Sequence, residues 1–280
     1  MGQSHDDRGH LIRLDYPAQR IISLAPHLTE VLFHLGLGDS VVGTVKFSDF
    51  PEPAKKIPRV GDAFAVSIET IVGLEPDLVV AWSSGGADDA IAKIQSLGIP
   101  VYHSEPKTLA GIADSASRIA QLAGQQESGR IAASNYMRKL ELLGETRNNQ
   151  LKPRTFFQIS TYDLYTINAD HLIGQAISLC GGINVFGHSM IPVPQVSSEA
   201  VLVAAPEVII FSKGLNEDNN WKQRWTGFSS IPAVAENRMN EISADLITRP
   251  GFRMLSGIEA LCSIIDTARG ETTTAASKEG

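Results

Sequence analysis

The sequence predicts an α/β protein built from two similar lobes that are joined by one long helix. Two stretches 130 residues apart repeat one pattern, SIETIVGLEPDLVVAW from Ser67 and SSEAVLVAAPEVIIFS from Ser197. Each reads as a capping serine, a short amphipathic helix with an acid in its first turn, a proline and a continuous apolar strand. A second pair, HLTEVLFHLGLGDSVVG from His27 and HLIGQAISLCGGINVFG from His171, repeats a helix that ends at glycine and leads into a strand.

A chain of 280 residues is long enough for two lobes that each bury a core. Between them, the stretch from about Gln126 to Leu143 has few helix breakers, and a helix of that length spans on the order of 30 Å. The predicted organisation is a polar leader at 1–18, an N-terminal lobe at 19–123, a connecting helix at 124–150, a C-terminal lobe at 151–269 and a disordered tail at 270–280.

The first lobe alternates strands with helices. Apolar runs predict strands at 21–24, 40–44, 78–82 and 99–104, and helical spacing predicts helices at 29–37, 88–97 and 109–122. The proline-rich stretch 47–64 is a long loop, and such loops are more often functional than idle. SSGGADD follows the strand at 78–82, at the edge where open parallel sheets place ligands.

The second lobe begins with a strand at 155–160, after which TYDLYTINAD predicts a turn or short hairpin. MIPVPQ is a loop that leads into the second copy of the repeat. NEDNNWKQRW reads as a polar loop entering a helix, and a last strand lies within 231–243. ADLITRPG is predicted to be an irregular loop before a final helix at 252–267.

Composition and motifs exclude several classes of function. A net charge of −7 with scattered basic residues argues against a nucleic-acid partner. Neither a G-x-S-x-G elbow nor a phosphate-binding G-x-x-x-x-G-K-[ST] loop is present, which argues against the corresponding enzymes. The N-terminus MGQSHDDRGH lacks the apolar core of a secretion signal, so the protein is either cytosolic or has lost its signal.

Cysteine and histidine give little further information. The two cysteines, Cys180 and Cys262, are either buried thiols or one disulfide, and no spacing indicates zinc. The histidines show no metal-binding pattern, although four of them would be able to converge: His27, His103, His171 and His188. We therefore expect no metal site.

Aromatic residues are more informative because many lie in loops or at strand ends rather than inside elements. Their positions suggest the wall of a cleft for a large, partly apolar ligand, with ordinary loop packing as the alternative. For Trp221 and Trp225, which are four residues apart, local packing is the preferred interpretation. The set consists of Phe50, Phe64, Trp82, Tyr162, Tyr165, Trp221 and Trp225.

Six segments also carry a resemblance to a known family: RIISLAPHLTEVLFHLG, FSDFP, IETIVGLEPDLVVAW, LCGGINVF, IPVPQVSSEAVL and ADLITRPG. In this order, over roughly residues 18–268, they resemble the periplasmic vitamin B12-binding proteins that serve ABC importers. More broadly, the chain is similar to the siderophore, haem and cobalamin receptors, which are class III periplasmic binding proteins. The resemblance implies two Rossmann-like lobes joined by a single long backbone helix.

The resemblance also implies a ligand-binding set. Phe50 stands where the family lays a tyrosine against the corrin ring. Phe64 and Trp82 match two tryptophan positions, and Tyr165 matches a phenylalanine that lines the cleft. Together these side chains are expected to form the apolar wall around the ligand.

The remaining matches lie in the second lobe. Asp245 and Arg249 match residues that meet the polar periphery of the ligand; the alternative is a local i,i+4 ion pair, although Pro250 disfavours helix there. Val193 and Leu246 depart from the pattern, because the better-known receptors have tryptophan at both positions. The complete implied set is Phe50, Phe64, Trp82, Tyr165, Val193, Asp245, Leu246, Ile247, Thr248 and Arg249.

Two further pairs follow from the resemblance. Cys180 and Cys262, both within predicted helices, match cysteines that are bridged in the resembling receptor. Glu69 and Glu199 occupy equivalent positions in the two copies of the repeat. The resembling receptors use glutamates at these positions to dock on arginine-bearing pockets of a dimeric permease. A first-turn acid also stabilises a helix N-terminus by itself, so a purely structural role is the alternative.

The resulting expectation is the substrate-binding component of an ABC importer, monomeric and periplasmic, with its signal segment outside this sequence. Its transported ligand is expected to be cobalamin or another corrinoid, with an iron–siderophore or haem as the runner-up. No intrinsic cofactor and no enzymatic activity are expected. The alternative from another class is a cytosolic α/β enzyme, since α/β folds host many activities.

Overall fold

The computed structural model describes residues 2–62, 64–145, 151–214 and 219–270. The chain divides into two compact units. Unit 1 is Met1–Arg138 with Pro250–Phe252, and unit 2 is Lys139–Arg249 with Arg253–Gly280. Apart from Gly270, the predicted disordered tail at 270–280 lies outside the described residues, as does the stretch 146–150 of the predicted connecting segment.

Unit 1 begins with an antiparallel hairpin that the sequence does not predict, formed by β1 (Gly2–His5) and β2 (Leu11–Leu14). The side chain of Asp7 fastens the hairpin turn, because its Oδ2 accepts the backbone N–H of Glu105 at 2.7 Å and its Oδ1 accepts the hydroxyl of Tyr102 at 3.0 Å. Ser4 on β1 and Asp6 in the following turn are buried although they are polar, so hydropathy alone does not reveal this hairpin.

The rest of unit 1 alternates strands and helices around a four-stranded parallel sheet. Its strands are β3 (Ile21–Ser23), β4 (Val41–Gly43), β5 (Leu78–Trp82) and β6 (Val101–Ser104), in the order β4-β3-β5-β6. Its helices are α1 (Pro26–His34), α2 (Ile68–Gly73), α3 (Asp88–Ser96) and α4 (Leu109–Leu122). Residues 78–81 of β5 are completely buried, as expected for a strand that is covered on both faces.

The long helix α5 (Gln126–Glu145) confirms the predicted helical stretch and is 20 residues long. Its residues are assigned to unit 1 as far as Arg138 and to unit 2 from Lys139 onward. Among the described residues, no helix combines the length and the apolar character needed to cross a membrane.

Unit 2 also contains a four-stranded parallel sheet. Its strands are β7 (Arg154–Gln158), β8 (Ile183–Asn184), β9 (Val208–Lys213) and β10 (Met239–Ser243), in the order β8-β7-β9-β10. Its helices are α6 (Leu172–Leu179), α7 (Ser198–Ala204), α8 (Pro232–Ala235), α9 (Ala244–Ile247) and α10 (Met254–Arg269). In both sheets the strand order is second, first, third, fourth, counted along the chain within each sheet. The two units therefore share one sheet topology.

The sequence repeat reappears as repeated local structure. The Ser67 hydroxyl accepts the N–H of Thr70 at 3.1 Å, and the Ser197 hydroxyl accepts the N–H of Ala200 at 3.2 Å, which confirms both predicted N-caps. After each helix the chain turns through a left-handed residue, Glu75 (φ 47°) in the first copy and Ala205 (φ 42°) in the second.

The acid that follows the proline in each copy fixes the start of the neighbouring strand. Asp77 accepts the backbone N–H of Gln19 at 2.8 Å just before β3. Glu207 accepts the backbone N–H of Arg154 at 2.8 Å at the start of β7. The repeat is thus a structural unit of cap, helix, left-handed turn and clamped strand.

One local prediction for unit 2 is wrong in detail, because Ala244–Ile247, expected to be irregular, forms one helical turn. The described part of the segment predicted to enter a helix forms a 3₁₀ helix, Asn219–Trp225. The predicted turn after β7 is present, closed by the Ile159 N–H donating to the Tyr165 carbonyl at 3.0 Å, and Tyr165 also pairs with Gln195 in the loop before α7. Long-range pairing of this kind leaves no local signal in the sequence.

The disulfide implied by the resemblance is present. Cys180, at the end of α6, is bonded to Cys262 in α10, 82 residues later in the chain. Both cysteines are buried, with 0% and 1% of their surface exposed. The bond therefore joins two helices inside the core of unit 2.

Candidate functional site

In unit 1, Phe64 and Trp82 lie against one glycine turn. Trp82 ends β5, and a Cβ on Gly85 would lie 3.4 Å from the Trp82 ring. A Cβ on Gly86 would lie only 2.9 Å from the Phe64 ring, and Gly86 has a φ of 86°, a conformation that favours glycine. The structure thus brings two predicted ligand residues together at the carboxyl end of a parallel strand, where such sheets bind ligands.

Phe64 is 78% exposed, and the turn that carries it is fixed by Asp62. The Asp62 carboxylate accepts the N–H of Ala65 at 2.9 Å and the N–H of Phe64 at 3.1 Å. These hydrogen bonds lower the pKa of Asp62, with a smaller contribution from Lys46. These hydrogen bonds therefore hold the backbone that carries the exposed Phe64 ring.

Phe50 lies in the loop before this turn and is 44% exposed. The Arg59 guanidinium holds that loop by donating to the carbonyls of Ser48 at 2.8 Å and of Ala54 and Ile57 at 3.0 Å. Phe47, in the same loop, is 70% exposed and was not selected from the sequence. We define the aromatic surface of unit 1 as Phe47, Phe50, Phe64 and Trp82.

In unit 2, Tyr165 and Val193 lie on two chain segments that run side by side. Thr166 N–H donates to the Pro194 carbonyl at 3.0 Å, and Val196 N–H donates to the Leu164 carbonyl at 2.8 Å. Tyr165 and Val193 are 36% and 40% exposed.

The loop that carries Val193 also exposes apolar residues which the sequence analysis did not single out. Met190 is 95% exposed and Ile191 is 61% exposed. Tyr162, one of the loop aromatics, is 84% exposed. Met190 and Ile191 thus add exposed apolar area close in sequence to Val193, where the resemblance places a tryptophan in the better-known receptors.

The segment Asp245–Arg249 begins on α9, directly after β10. Arg249 Nη2 and Asp245 Oδ1 are 2.7 Å apart, so the local ion pair that was one of the two alternatives is formed. Both side chains retain some exposure, 16% for Arg249 and 33% for Asp245.

Ile247, which was expected to contact ligand, has no exposed surface. The helical turn points this side chain into the core, so the prediction for Ile247 needs correction: it anchors α9. Leu246 is half-buried, and Thr248 is exposed with its hydroxyl donating to the Ala244 carbonyl at 2.8 Å. These two residues remain accessible beside the ion pair.

Two pockets lie at the carboxyl edge of the unit 2 sheet. One, of about 400 Å³, is lined by Lys213, Gly214, Glu241, Ile242, Ser243 and Asp245. The other, of about 350 Å³, is lined by Thr161, Tyr162, Asn220, Trp221 and Arg224. Lys213 and Glu241 were not identified from the sequence. The feature that would have indicated them is their position at or near the carboxyl end of a strand.

Trp221 and Trp225 are core residues, as preferred from their spacing, with 3% and 0% of their surface exposed. Trp225 Nε1 donates to Gln158 Oε1 at 3.1 Å, and Trp221 Nε1 donates to Glu241 Oε1 at 2.7 Å. Trp221 thus connects the core of unit 2 to a side chain of the larger pocket.

His27 and His171, two of the four histidines named from the sequence, have separate surroundings. His27 packs edge-on against Trp82, with ring centres 5.4 Å apart. His171 Nδ1 accepts the N–H of Ile173 at the start of α6, and burial lowers the pKa of His171. Within the described ranges, no group of three or more His, Cys, Asp or Glu side chains is placed to hold a metal ion.

Glu69 and Glu199 are both exposed, in the first turns of α2 and α7. Hydrogen bonds to the backbone N–H of Glu199 itself and to the Ser197 hydroxyl lower the pKa of Glu199. Each helix already has a serine cap, so neither glutamate is required to cap it.

Two repeated α/β sheets with exposed side chains at their carboxyl edges are compatible with a substrate-binding protein. The chain belongs to the periplasmic binding protein family, whose sequence model matches residues 21–246. It is therefore a binding protein and not an enzyme, and the predicted class III fold is confirmed.

Individual relatives are similar over almost the whole chain. The vitamin B12-binding protein of Vibrio campbellii is 37% identical over 254 residues, which cover 90% of this chain and 91% of that protein. The vitamin B12-binding protein of Yersinia pestis is 34% identical, over 88% of this chain and 85% of that protein.

Solved structures agree with this assignment. The crystal structure of the periplasmic vitamin B12-binding protein of Vibrio cholerae has a TM-score of 0.82 and 35% identity, and covers 91% of this chain and 99% of that one. The periplasmic haem-binding protein of Roseiflexus has a TM-score of 0.79 at 23% identity, covering 90% and 99%, which shows the shared fold alone.

Proposed function

We propose that this protein is the substrate-binding component of an ABC importer that captures cobalamin or a related corrinoid. It acts in the periplasm as a monomer and delivers its ligand to a dimeric permease in the inner membrane. The observation that carries the proposal is 34 to 37% identity, over most of the chain, with proteins named for vitamin B12 binding. The haem-binding structures share the fold at lower identity, for example 23%.

The exposed side chains support a large, flat and partly apolar ligand. A corrin ring offers apolar faces to Phe50, Phe64 and Trp82 in unit 1 and to Tyr165 and Val193 in unit 2. Aromatic side chains bury roughly 150 to 250 Å² each, so a few of them supply most of the contact area. We infer that both surfaces contribute to ligand binding, with Leu246 and the exposed Met190 and Ile191 enlarging the apolar area.

The polar contacts of the proposed ligand come from the segment after β10. Asp245 accepts hydrogen bonds and Arg249 donates them, so the pair is suited to the amide groups around a corrin ring. Their mutual ion pair at 2.7 Å holds both side chains in a defined position, which lowers the entropic cost of binding. Thr248 is exposed beside them.

Replacing Trp82 or Arg249 with alanine tests this placement. Each change is expected to weaken cyanocobalamin binding at least about tenfold, since central aromatic and arginine anchors supply much of the binding energy. Calorimetry on the purified variants measures the effect. The matched controls Tyr16→Ala, at a 79% exposed aromatic residue, and Arg130→Ala, at a 70% exposed arginine, are expected to bind as the parent does. Parent-like affinity in both test variants would show that the placement is wrong.

The close approach of α9 to α10 provides a second test. A Cβ on Gly257 would lie 2.7 Å from the carbonyl oxygen of Leu246 and 3.1 Å from the Cα of Ile247. Backbone atoms cannot rotate away, so Gly257→Ala must displace the segment that carries Asp245 and Arg249. We expect a loss of about 1 to 3 kcal/mol of unfolding free energy from overpacking, partly offset by the better helix propensity of alanine.

The measurements for Gly257→Ala are urea unfolding and cyanocobalamin affinity, both of which are expected to fall. Gly73→Ala is the control, because a Cβ there meets no atom within 4 Å and the residue ends helix α2. It is expected to be as stable as the parent or slightly more stable. A Gly257→Ala variant with unchanged stability and affinity would contradict the positioning role of this contact.

A further inference from the structure

The larger unit 2 pocket is lined by one lysine, two carboxylates and a hydroxyl, those of Lys213, Glu241, Asp245 and Ser243. We propose that this pocket holds a peripheral carboxamide of the ligand and discriminates against a carboxylate in the same place. The inference rests on the proposed function, because it names which chemical group of a corrinoid the site recognises. It would make Lys213 and Glu241 specificity-determining residues.

Strand register places these side chains on one face of the sheet. Ser243 lies opposite Lys213, and Glu241 lies opposite Phe211, in the parallel pairing of β10 with β9. Residues opposite each other, and residues two positions apart on one strand, project to the same face. Lys213, Glu241 and Ser243 therefore converge at the carboxyl edge of the sheet, next to the start of α9 and Asp245.

Glu241 is held in position from two sides. Trp221 Nε1 donates to Oε1 at 2.7 Å, and Lys213 Nζ donates to Oε2 at 2.9 Å. Trp221 is itself immobilised, since only 3% of its surface is exposed and its ring stacks on Phe211 at 5.0 Å between centres. Although burial opposes ionisation, the hydrogen bonds from Trp221 and Lys213 lower the pKa of Glu241. The carboxylate is thus a fixed, ionised acceptor.

The charges at the pocket cancel. Lys213 is paired with Glu241 at 2.9 Å, and Asp245 is paired with Arg249 at 2.7 Å. A ligand carboxylate would meet two carboxylates whose cationic partners are already engaged, and like charges in close contact are unfavourable. A carboxamide carries no net charge and offers an N–H₂ donor for the carboxylates and a carbonyl acceptor for the Lys213 ammonium or the Ser243 hydroxyl.

Corrinoids present this chemical choice directly. The corrin periphery carries amidated acetate and propionate chains, whereas the propionates of haem are carboxylates. Hydrolysis of one propionamide converts cyanocobalamin into a monocarboxylic acid of almost the same shape. Comparing the two ligands therefore isolates the amide group from the size and the apolar area of the ring.

The experiment measures the affinities of the parent protein for cyanocobalamin and for each of its monocarboxylic acids at neutral pH. At least one isomer is expected to bind about tenfold more weakly than cyanocobalamin. Glu241→Gln removes the charge that neutralises Lys213, so the discrimination against that isomer should shrink or reverse. Lys213→Met leaves Glu241 without this cation, so the discrimination should grow. The control Glu236→Gln alters a carboxylate paired with Arg238 at 2.7 Å in the same unit and should change nothing.

Glu241→Gln and Lys213→Met are expected to change the discrimination in opposite directions. General destabilisation cannot produce that result, because it would weaken the binding of every ligand in both variants. Tight binding of cyanocobalamin and all its monocarboxylic acids with equal affinity would overturn the inference and leave the proposed function standing. A discrimination that Glu241→Gln and Lys213→Met leave unchanged would also overturn it. Failure of the parent protein to bind cyanocobalamin at all would overturn the proposed function and this inference together.

Discussion

Replacing Cys180 and Cys262 together with alanine is expected to lower the unfolding free energy by about 2 to 5 kcal/mol. The disulfide closes a loop between residues 82 positions apart. A loop of that length restricts the unfolded chain strongly, and the chain-entropy model gives roughly 4 to 5 kcal/mol as its upper bound. Because both cysteines are buried, the alanines also leave unfilled space between α6 and α10.

Urea unfolding of the oxidised parent and of the double variant measures this loss. Dithiothreitol provides the internal control, since it should lower the unfolding midpoint of the parent and leave that of the double variant unchanged. Equal midpoints for parent and variant without reductant would contradict the stabilising role of the bond. Two free thiols in the denatured, unreduced parent would show that the bond is absent in solution.

Reversing the charges of Glu69 and Glu199 together is expected to abolish transport and binding to the permease. Both carboxylates are exposed, and they occupy the same place in the two copies of the repeat. Carboxylate–arginine contacts are suited to a transient and oriented encounter, since such pairs guide association and fix register. Ligand affinity and melting temperature should remain nearly unchanged, because the serine caps of α2 and α7 stay in place.

The matched control reverses two other exposed acids, Asp89 in the first turn of α3 and Glu259 on α10, with the same change in net charge. This control is expected to support normal uptake in cells that lack their own receptor. Equal loss of transport in both double variants would point to net charge instead of docking. A large drop in melting temperature for Glu69→Arg with Glu199→Arg would make these residues structural acids.

The repeated sequence was sufficient to predict the succession of helices and strands in each copy, whereas the strand order of the two sheets came from the structure. In each copy the capping serine, the proline and the apolar run correspond to helix, turn and strand. The repeat that begins at His27 and at His171 likewise contains a helix followed by a strand, β4 in unit 1 and β8 in unit 2. The left-handed residues at Glu75 and Ala205 were not predictable, because neither is glycine, the residue that usually adopts this conformation.

The candidate site was predictable only in part. Phe64, which is exposed, and Trp82, which is partly exposed, lie at loop and strand-end positions that hydropathy patterns reveal. Ile247 was assigned to the site because it lies in a continuous motif, but one turn of helix directs it into the core. Lys213 and Glu241 are 28 residues apart and converge only through the pairing of β9 with β10, so no local pattern contains them.

Titration of the purified protein with cyanocobalamin tests the central claim most directly. Binding is followed by the quenching of tryptophan fluorescence, to which Trp82 should contribute, and by calorimetry, with haemin and a ferric siderophore titrated in parallel. We expect saturable binding of one cyanocobalamin per protein, at micromolar or lower concentration, and much weaker binding of the other two ligands. Saturable binding of haemin or the siderophore, with none of cyanocobalamin, would contradict the account.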